Sequence, residues 1–330
     1  MGSKYRLLPH LERTFAEIGG ATAVDAFSGS GVVSYLMKAQ GYQVTSNDFL
    51  NFPSVIARAT VQNSTVQLES ELIEKICGPA ADDRDFIQST FDGLYFTAED
   101  RKFLDSAWSH IDQLRGYRKD IAISALVLSA ARKQPRGVFT FTDSTRYADG
   151  RRDLRLSLQE HFRECAAEYN AVVFSNGSRS HAVSGDVFEV KDNAPDLVYL
   201  DPPYAPPRDD NDYIKRYHFL EGLSLYWRGV TIMENTKTKK LEKRFTPFAY
   251  KRTIEDALLR TFEHFEAVGT TIVLSYSSNA IPDRDRIVDL LGKVKPSVEV
   301  VAIDHKYSFG THAAATRRDV SEYLFIGRDQ

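Results

Sequence analysis

Four acidic motifs in this chain each sit where a strand signal gives way to a turn. They are Asp25-Ala26-Phe27-Ser28-Gly29-Ser30-Gly31, the pair Asn47-Asp48, Ser184-Gly185-Asp186, and Asp201-Pro202-Pro203-Tyr204. In the first, glycines allow a tight turn and a close backbone approach to a ligand, and the following helix offers free N–H groups. Its leading acid, Asp25, suits a ligand bearing a cation. The third glycine of a dinucleotide fingerprint, expected near Ser34, is missing, and a plain strand-to-helix turn would use the same residues. Asp48 suits a ribose diol or a helix cap. Asp186 suits an exocyclic amine or a simple turn. The fourth motif is the most specific. Two prolines remove two donors and fix φ, so the strand end presents acceptors, which suit an amine. Tyr204 adds a flat face for a planar base.

The elements needed to carry these motifs are legible. Apolar spacing predicts a helix over 7–18, stopped by Gly19-Gly20. A strand over 21–27, a helix over 32–39 and a strand over 42–46 follow, the opening of a doubly wound parallel sheet. Helical periods then dominate 52–135, and a helix is expected over 154–169. Residues 139–142 suggest a hairpin. Strands are expected at 171–174, 181–184, 196–200, 271–276, 298–303 and 322–326, with helices near 217–228 and 253–268. The reading is an α/β fold whose sheet is interrupted, between its second and third core strands, by a largely helical insertion of about 120 residues.

The loop at 25–31 and the Asp-Pro-Pro-Tyr motif, in that order, resemble the adenine-specific DNA N6-methyltransferases of the Dam-like (D12) class. Gly2-Ser3-Lys4-Tyr5-Arg6-Leu7-Leu8 is similar to that family's opening motif, and 211–219, 275–279 and 307–310 look like its later segments. The resemblance implies a Rossmann-like, class I S-adenosylmethionine-dependent sheet. Residues 1–60 and 171–330 would form the methyltransferase domain, and 61–170 an inserted DNA target-recognition region. It implies S-adenosyl-L-methionine held by Lys4, Tyr5, Asp25, Phe27, Ser28, Gly29, Gly31, Asp48, Asp186 and Asp201. Asp25, Asp48 and Asp186 would take the methionine amine, ribose and adenine. Asp201, Pro202 and Tyr204 would be catalytic, acting on the N6 amine of an adenine flipped out of a specific double-stranded DNA sequence. RNA adenine, cytosine N4, or a non-catalytic nucleic-acid-binding module are the alternatives, and no metal is needed. A nicotinamide dehydrogenase is disfavoured by the missing glycine. A restriction endonuclease partner, an orphan enzyme and a homodimer all stay open.

The net charge of −3 is unevenly spread: 131–155 carries seven basic and three acidic residues, 237–252 seven and one, while 64–105 carries ten acidic and four basic. The two basic stretches are candidate phosphate contacts, since binding follows the local field. They supply Arg132, Lys133, Arg136, Arg146, Arg151, Arg152 and Arg155, then Lys237, Lys239, Lys240, Lys243 and Arg244. Lys215, Arg216 and His218 lie in the segment after the Asp-Pro-Pro-Tyr motif. Solvated faces are the plain alternative. Ordinary aromatic and charged content excludes disorder, and the longest apolar run, 121–131, is too short to span a bilayer. No signal peptide is visible, and Cys77 and Cys165 read as buried thiols of a reducing compartment, so a cytoplasmic protein of bacterial, archaeal or phage origin is expected.

Overall fold

Strand side chains alternate between two faces, and in this chain both faces are apolar, as a sheet covered on both sides requires. The computed structural model describes residues 4–135, 138–140, 150–191, 194–205, 213–307 and 318–330. Seven strands form one sheet: β1 (Thr22–Asp25), β2 (Gln43–Asp48), β3 (His181–Ser184), β4 (Leu197–Leu200), β5 (Thr271–Ser277), β6 (Ser297–Tyr307) and β7 (Arg318–Arg328). Their order is β3-β2-β1-β4-β5-β7-β6. The first five run parallel, whereas β7 pairs antiparallel with both β5 and β6.

The helices are α1 (Leu8–Ile18), α2 (Val32–Ala39), α3 (Asn51–Ala57), α4 (Ser70–Ile76), α5 (Phe86–Thr90), α6 (Ala98–Ile111), α7 (Gly116–Arg132), α8 (Arg152–Arg155), α9 (Leu158–Ala171), α10 (Tyr213–Leu225), α11 (Ile254–His264) and α12 (Arg284–Leu291). Ala23, Leu197, Tyr199 and Val273 point to a core closed by α1 and α2. Their neighbours Val24, Val198, Leu200, Ile272 and Leu274 point to the opposite core, closed by α11 and α12. This is the Rossmann-like α/β sheet expected.

Among the described residues, the secondary structure between β2 and β3 is helical. The apolar residues of this stretch, those of α3 included, form a third core, into which α10 also packs. Three aromatic rings hold its centre: Phe139 stacks on Phe219 at 4.6 Å, and Trp227 lies 5.1 Å from the same ring. Gly222 is obligatory there, because a Cβ would fall 2.3 Å from the Trp227 indole. One expected strand does not form. Residue 171 ends α9 and 173–176 is irregular, since Asn176 turns inward to donate to the Lys38 and Tyr42 carbonyls at 2.9 Å. The expected hairpin residues 141–142 lie outside the described residues, as do 308–317.

Candidate active site

Strand ends and their loops place the acids around one cavity of about 230 Å³. Its walls include Lys4, Asp25, Phe27, Ser28, Gly29, Asp48, Asp186, Asp201, Pro202, Tyr204 and Arg216. All four motif acids therefore meet at the carboxyl edge of the parallel strands, where open α/β sheets bind ligands.

The glycine loop is built by backbone demands. Gly29 and Gly31 have φ of 51° and 75°, the left-handed region that glycine enters freely. Gly31 precedes the first turn of α2. Asp48 reaches back across the loop, one oxygen accepting from Gly29 N and the other from Leu50 N, both at 2.9 Å. Those bonds pull its carboxyl down, but burial dominates and pushes it up to about 6. Asp25 is more deeply buried. Its Oδ2 accepts from Ser34 Oγ at 2.6 Å, while Oδ1 has no partner among the described residues. Burial pushes this carboxyl up to about 7. Ser28 Oγ is likewise buried without a partner. Asp186 opens a short 3-10 turn by accepting from Phe188 N at 3.1 Å. Phe27 meets Phe248 edge-on at 5.1 Å, forming an apolar wall. Unpaired buried acceptors in a carboxylate-lined cavity call for a ligand rich in donors and positive charge.

The loop after β4 carries Asp201, Pro202 and Tyr204. Asp201 Oδ1 lies 3.0 Å from both Lys4 Nζ and the Tyr204 hydroxyl. Its Oδ2 has no hydrogen-bond partner among the described residues. Burial raises the Asp201 pKa, while the Lys4 ammonium pulls it down. Burial also works against the Lys4 charge, yet Asp201 and Glu322 more than offset it, so its pKa is raised. The far end of the loop is pinned by Ile281 N donating to Ala205 O at 3.1 Å. Tyr276, whose ring meets Tyr204 edge-on at 4.8 Å, donates its hydroxyl to Ile281 O.

Two residues in this arrangement carry no motif. Glu322, on β7, lies 2.5 Å from both Lys4 Nζ and the Tyr204 hydroxyl. Glu221, on α10, accepts from Asn51 N and Phe52 N at 2.9 and 3.1 Å, capping the helix that follows Asp48. In sequence each is a single acid inside a predicted helix or strand, with no local signal to mark it.

Several expected contacts are elsewhere. Tyr5 does not line the cavity and is 68% exposed, because the 3-10 turn at Lys4–Arg6 rotates successive side chains far apart. His218 is fully buried, its Nε2 bonded to Phe139 O at 2.9 Å. It lies on the core stripe of α10 with Ile214 and Tyr217, while Lys215 and Arg216 take the exposed face. A DNA contact by His218 does not fit that position. Lys133 is turned inward to Asp100 at 2.9 Å and to the Leu156 carbonyl, so it offers no free surface charge. Arg132 is held by Glu168 at 2.6 Å, Lys239 by Glu234 at 2.6 Å, and Arg152 by Glu164. Arg151, Arg155, Lys237, Lys243 and Arg244 are exposed, and Lys240 is half-buried. Arg244 lies 4.1 Å above the Phe49 ring, beside the cavity wall. Arg136 and Arg146 lie outside the described residues.

Both cysteines are buried, and burial pushes each thiol up to about 11. Among the described residues no group of three or more His, Cys, Asp or Glu could hold a metal ion, and no helix is long and apolar enough to cross a membrane.

Comparison with known proteins agrees with this geometry. The family model described as D12 class N6 adenine-specific DNA methyltransferase matches residues 1–244. The type II methyltransferase M2.HphI of Haemophilus parahaemolyticus is 28% identical over 319 residues, covering 92% of this chain and 90% of that protein. The modification methylase StsI of Streptococcus sanguinis is 24% identical, covering 98% of this chain and 51% of its own length. The type II methyltransferase M.FokI of Planomicrobium okeanokoites is also 24% identical, covering 88% and 46%. The chain thus spans about half the length of the latter two.

Proposed function

The chain belongs to the D12 class N6 adenine-specific DNA methyltransferases, and on that premise we propose that it methylates the N6 amine of an adenine flipped out of a specific double-stranded DNA sequence, using S-adenosylmethionine. The observation that carries this reading is the Asp201 carboxylate. Its Oδ1 is committed to Lys4 and Tyr204, and among the described residues no hydrogen bond reaches its Oδ2, in a cavity that also holds Asp25 Oδ1, buried and likewise without a partner among the described residues.

The set of acceptors fits the cofactor. Asp25 Oδ1 suits the methionine amine, Asp48 at the β2 edge the ribose hydroxyls, and Asp186 the adenine amine. Phe27 and Phe248 supply the apolar wall. When bound, S-adenosylmethionine supplies a sulfonium methyl: the N6 lone pair forms the new N–C bond, and the S–C pair stays on sulfur. Asp201 Oδ2 and the Pro202 carbonyl accept the N6 hydrogens and hold the lone pair in line. Tyr204 stacks on the base. The surplus proton leaves N6 afterwards for Asp201 or water. Such a site works by positioning and electrostatics. Extruding the base costs a few kcal/mol, on the order of one lost stacking and pairing interaction. The helical region at 61–170, with the cations at 237–244, would grip the duplex beside the pocket.

Tritiated methyl transfer to duplex DNA and to RNA, followed by nucleoside analysis, tests this. N6-methyl-2′-deoxyadenosine from duplex DNA, lost in Asp201→Ala, is the expected result. Label confined to RNA or to cytosine N4 would replace the substrate assignment. Full activity in Asp201→Ala would overturn the catalytic one.

A further inference from the structure

Glu322 lies on β7, beyond the residues that the family model matches. It is 1% exposed and stands outside the cavity wall. The antiparallel register sets it opposite Ser277 and diagonal to Ser275, whose hydroxyl donates to its Oε1 at 2.9 Å. The same Oε1 is 2.5 Å from Lys4 Nζ and 2.5 Å from the Tyr204 hydroxyl. Its Oε2 is buried with no partner among the described residues. A second carboxylate kept so deep, beside an Asp and Lys that already pair, is costly unless the site needs the charge.

The chemistry supplies the need. Methylating a neutral amine with a sulfonium carries a full positive charge from sulfur to N6. Lys4 with Asp201 alone is a neutral pair, and the ammonium drains the carboxylate meant for the amine. Lys4 with Asp201 and Glu322 carries a formal −1. We propose that Glu322 is a positioning residue that engages Lys4 and the Tyr204 hydroxyl, keeps the cluster at net −1, and leaves Asp201 a charged acceptor as positive charge arrives on N6. This rests on the methyl-transfer reading above. Glu322 touches neither substrate nor cofactor. It acts through Lys4, Tyr204 and Asp201.

Two ligand probes read the cluster charge without turnover. Sinefungin places an amine cation where the methyl would sit, whereas S-adenosylhomocysteine has a neutral thioether. In the full-length protein, Glu322→Gln should reduce the preference for sinefungin over S-adenosylhomocysteine about tenfold and slow single-turnover methylation about 10- to 100-fold, the scale of one preorganised electrostatic contact. Lys4→Met added to Glu322→Gln removes the opposing charge and should restore the preference. An unchanged preference in a folded Glu322→Gln protein overturns the proposal. If that variant does not fold, the double variant decides: weaker preference than wild type there overturns it equally. A wild-type protein that fails to methylate DNA would instead overturn the substrate reading, with the probe preference still judging the cluster.

Discussion

Asp25 shows how a single residue can set the pH behaviour of the whole site. Its carboxyl is pushed up to about 7 by burial, against an ordinary value of 3.8. A folded-state pKa above the unfolded one means that the native state binds the extra proton between the two values. Stability of the ligand-free protein therefore falls as pH rises from about 4 through about 7. Asp48, pushed up to about 6, adds a second contribution of the same sign. Replacing Asp25 by Asn keeps an acceptor for Ser34 and removes the buried charge. Asp25→Asn should raise the melting temperature at pH 8 and leave it unchanged at pH 4. A cationic ligand reverses the balance, because its amine stabilises the carboxylate. Binding of S-adenosylhomocysteine, which keeps the methionine amine, should tighten between pH 6 and pH 8 in the wild type and lose that pH dependence in Asp25→Asn. Equal melting curves at pH 8 would show that the Asp25 charge is solvated.

At the scale of elements, the coupling between α10 and α3 joins the two ends of the site. Glu221 caps α3 directly after the Asp48 strand end, and Asn51 Nδ2 donates to Ser224 Oγ on the same helix at 2.8 Å. Glu221→Ala would strand two N–H groups, one of them buried, each costing about 1–3 kcal/mol. Urea unfolding should show a loss of that order, with weaker S-adenosylmethionine binding because the Asp48 turn loses its backstop. Wild-type stability would mean that water replaces the cap. This coupling also shows where sequence legibility ends. The motif acids were readable because each sits at a strand end beside residues whose backbone requirements mark the turn. Helix α2 and strand β3 match the residues expected for them, since a glycine loop and local period set them. Glu221 and Glu322 were not readable. Their partners lie about 170 and 318 residues away in sequence, and only the sheet order and the α10 packing bring them together. Likewise, nothing local tells Lys133, which is drawn into an ion pair with Asp100, from its exposed neighbours.

For the whole molecule, phosphate contact depends on which cations are already held by carboxylates. The basic stretch at 131–155 looked equivalent to that at 237–252 by count alone. Arg132, Lys133 and Arg152 are each held by a carboxylate of the helical core or its surface. By contrast Lys237 and Arg244 are exposed, and the segment that bears them reaches the cavity through Thr246 and Phe248. Phosphate contacts release counterions, so each should contribute about one unit to the slope of log affinity against log salt. Lys237→Ala combined with Arg244→Ala should therefore weaken duplex binding at low salt and reduce that slope by up to about two. Arg132→Ala, which frees Glu168, should leave the slope near wild type and lower stability by no more than about 1 kcal/mol, as for an exposed pair. Binding titrations from low to moderate salt separate the two. A slope that falls for Arg132→Ala and not for the Lys237 and Arg244 pair would move the duplex to the other basic stretch.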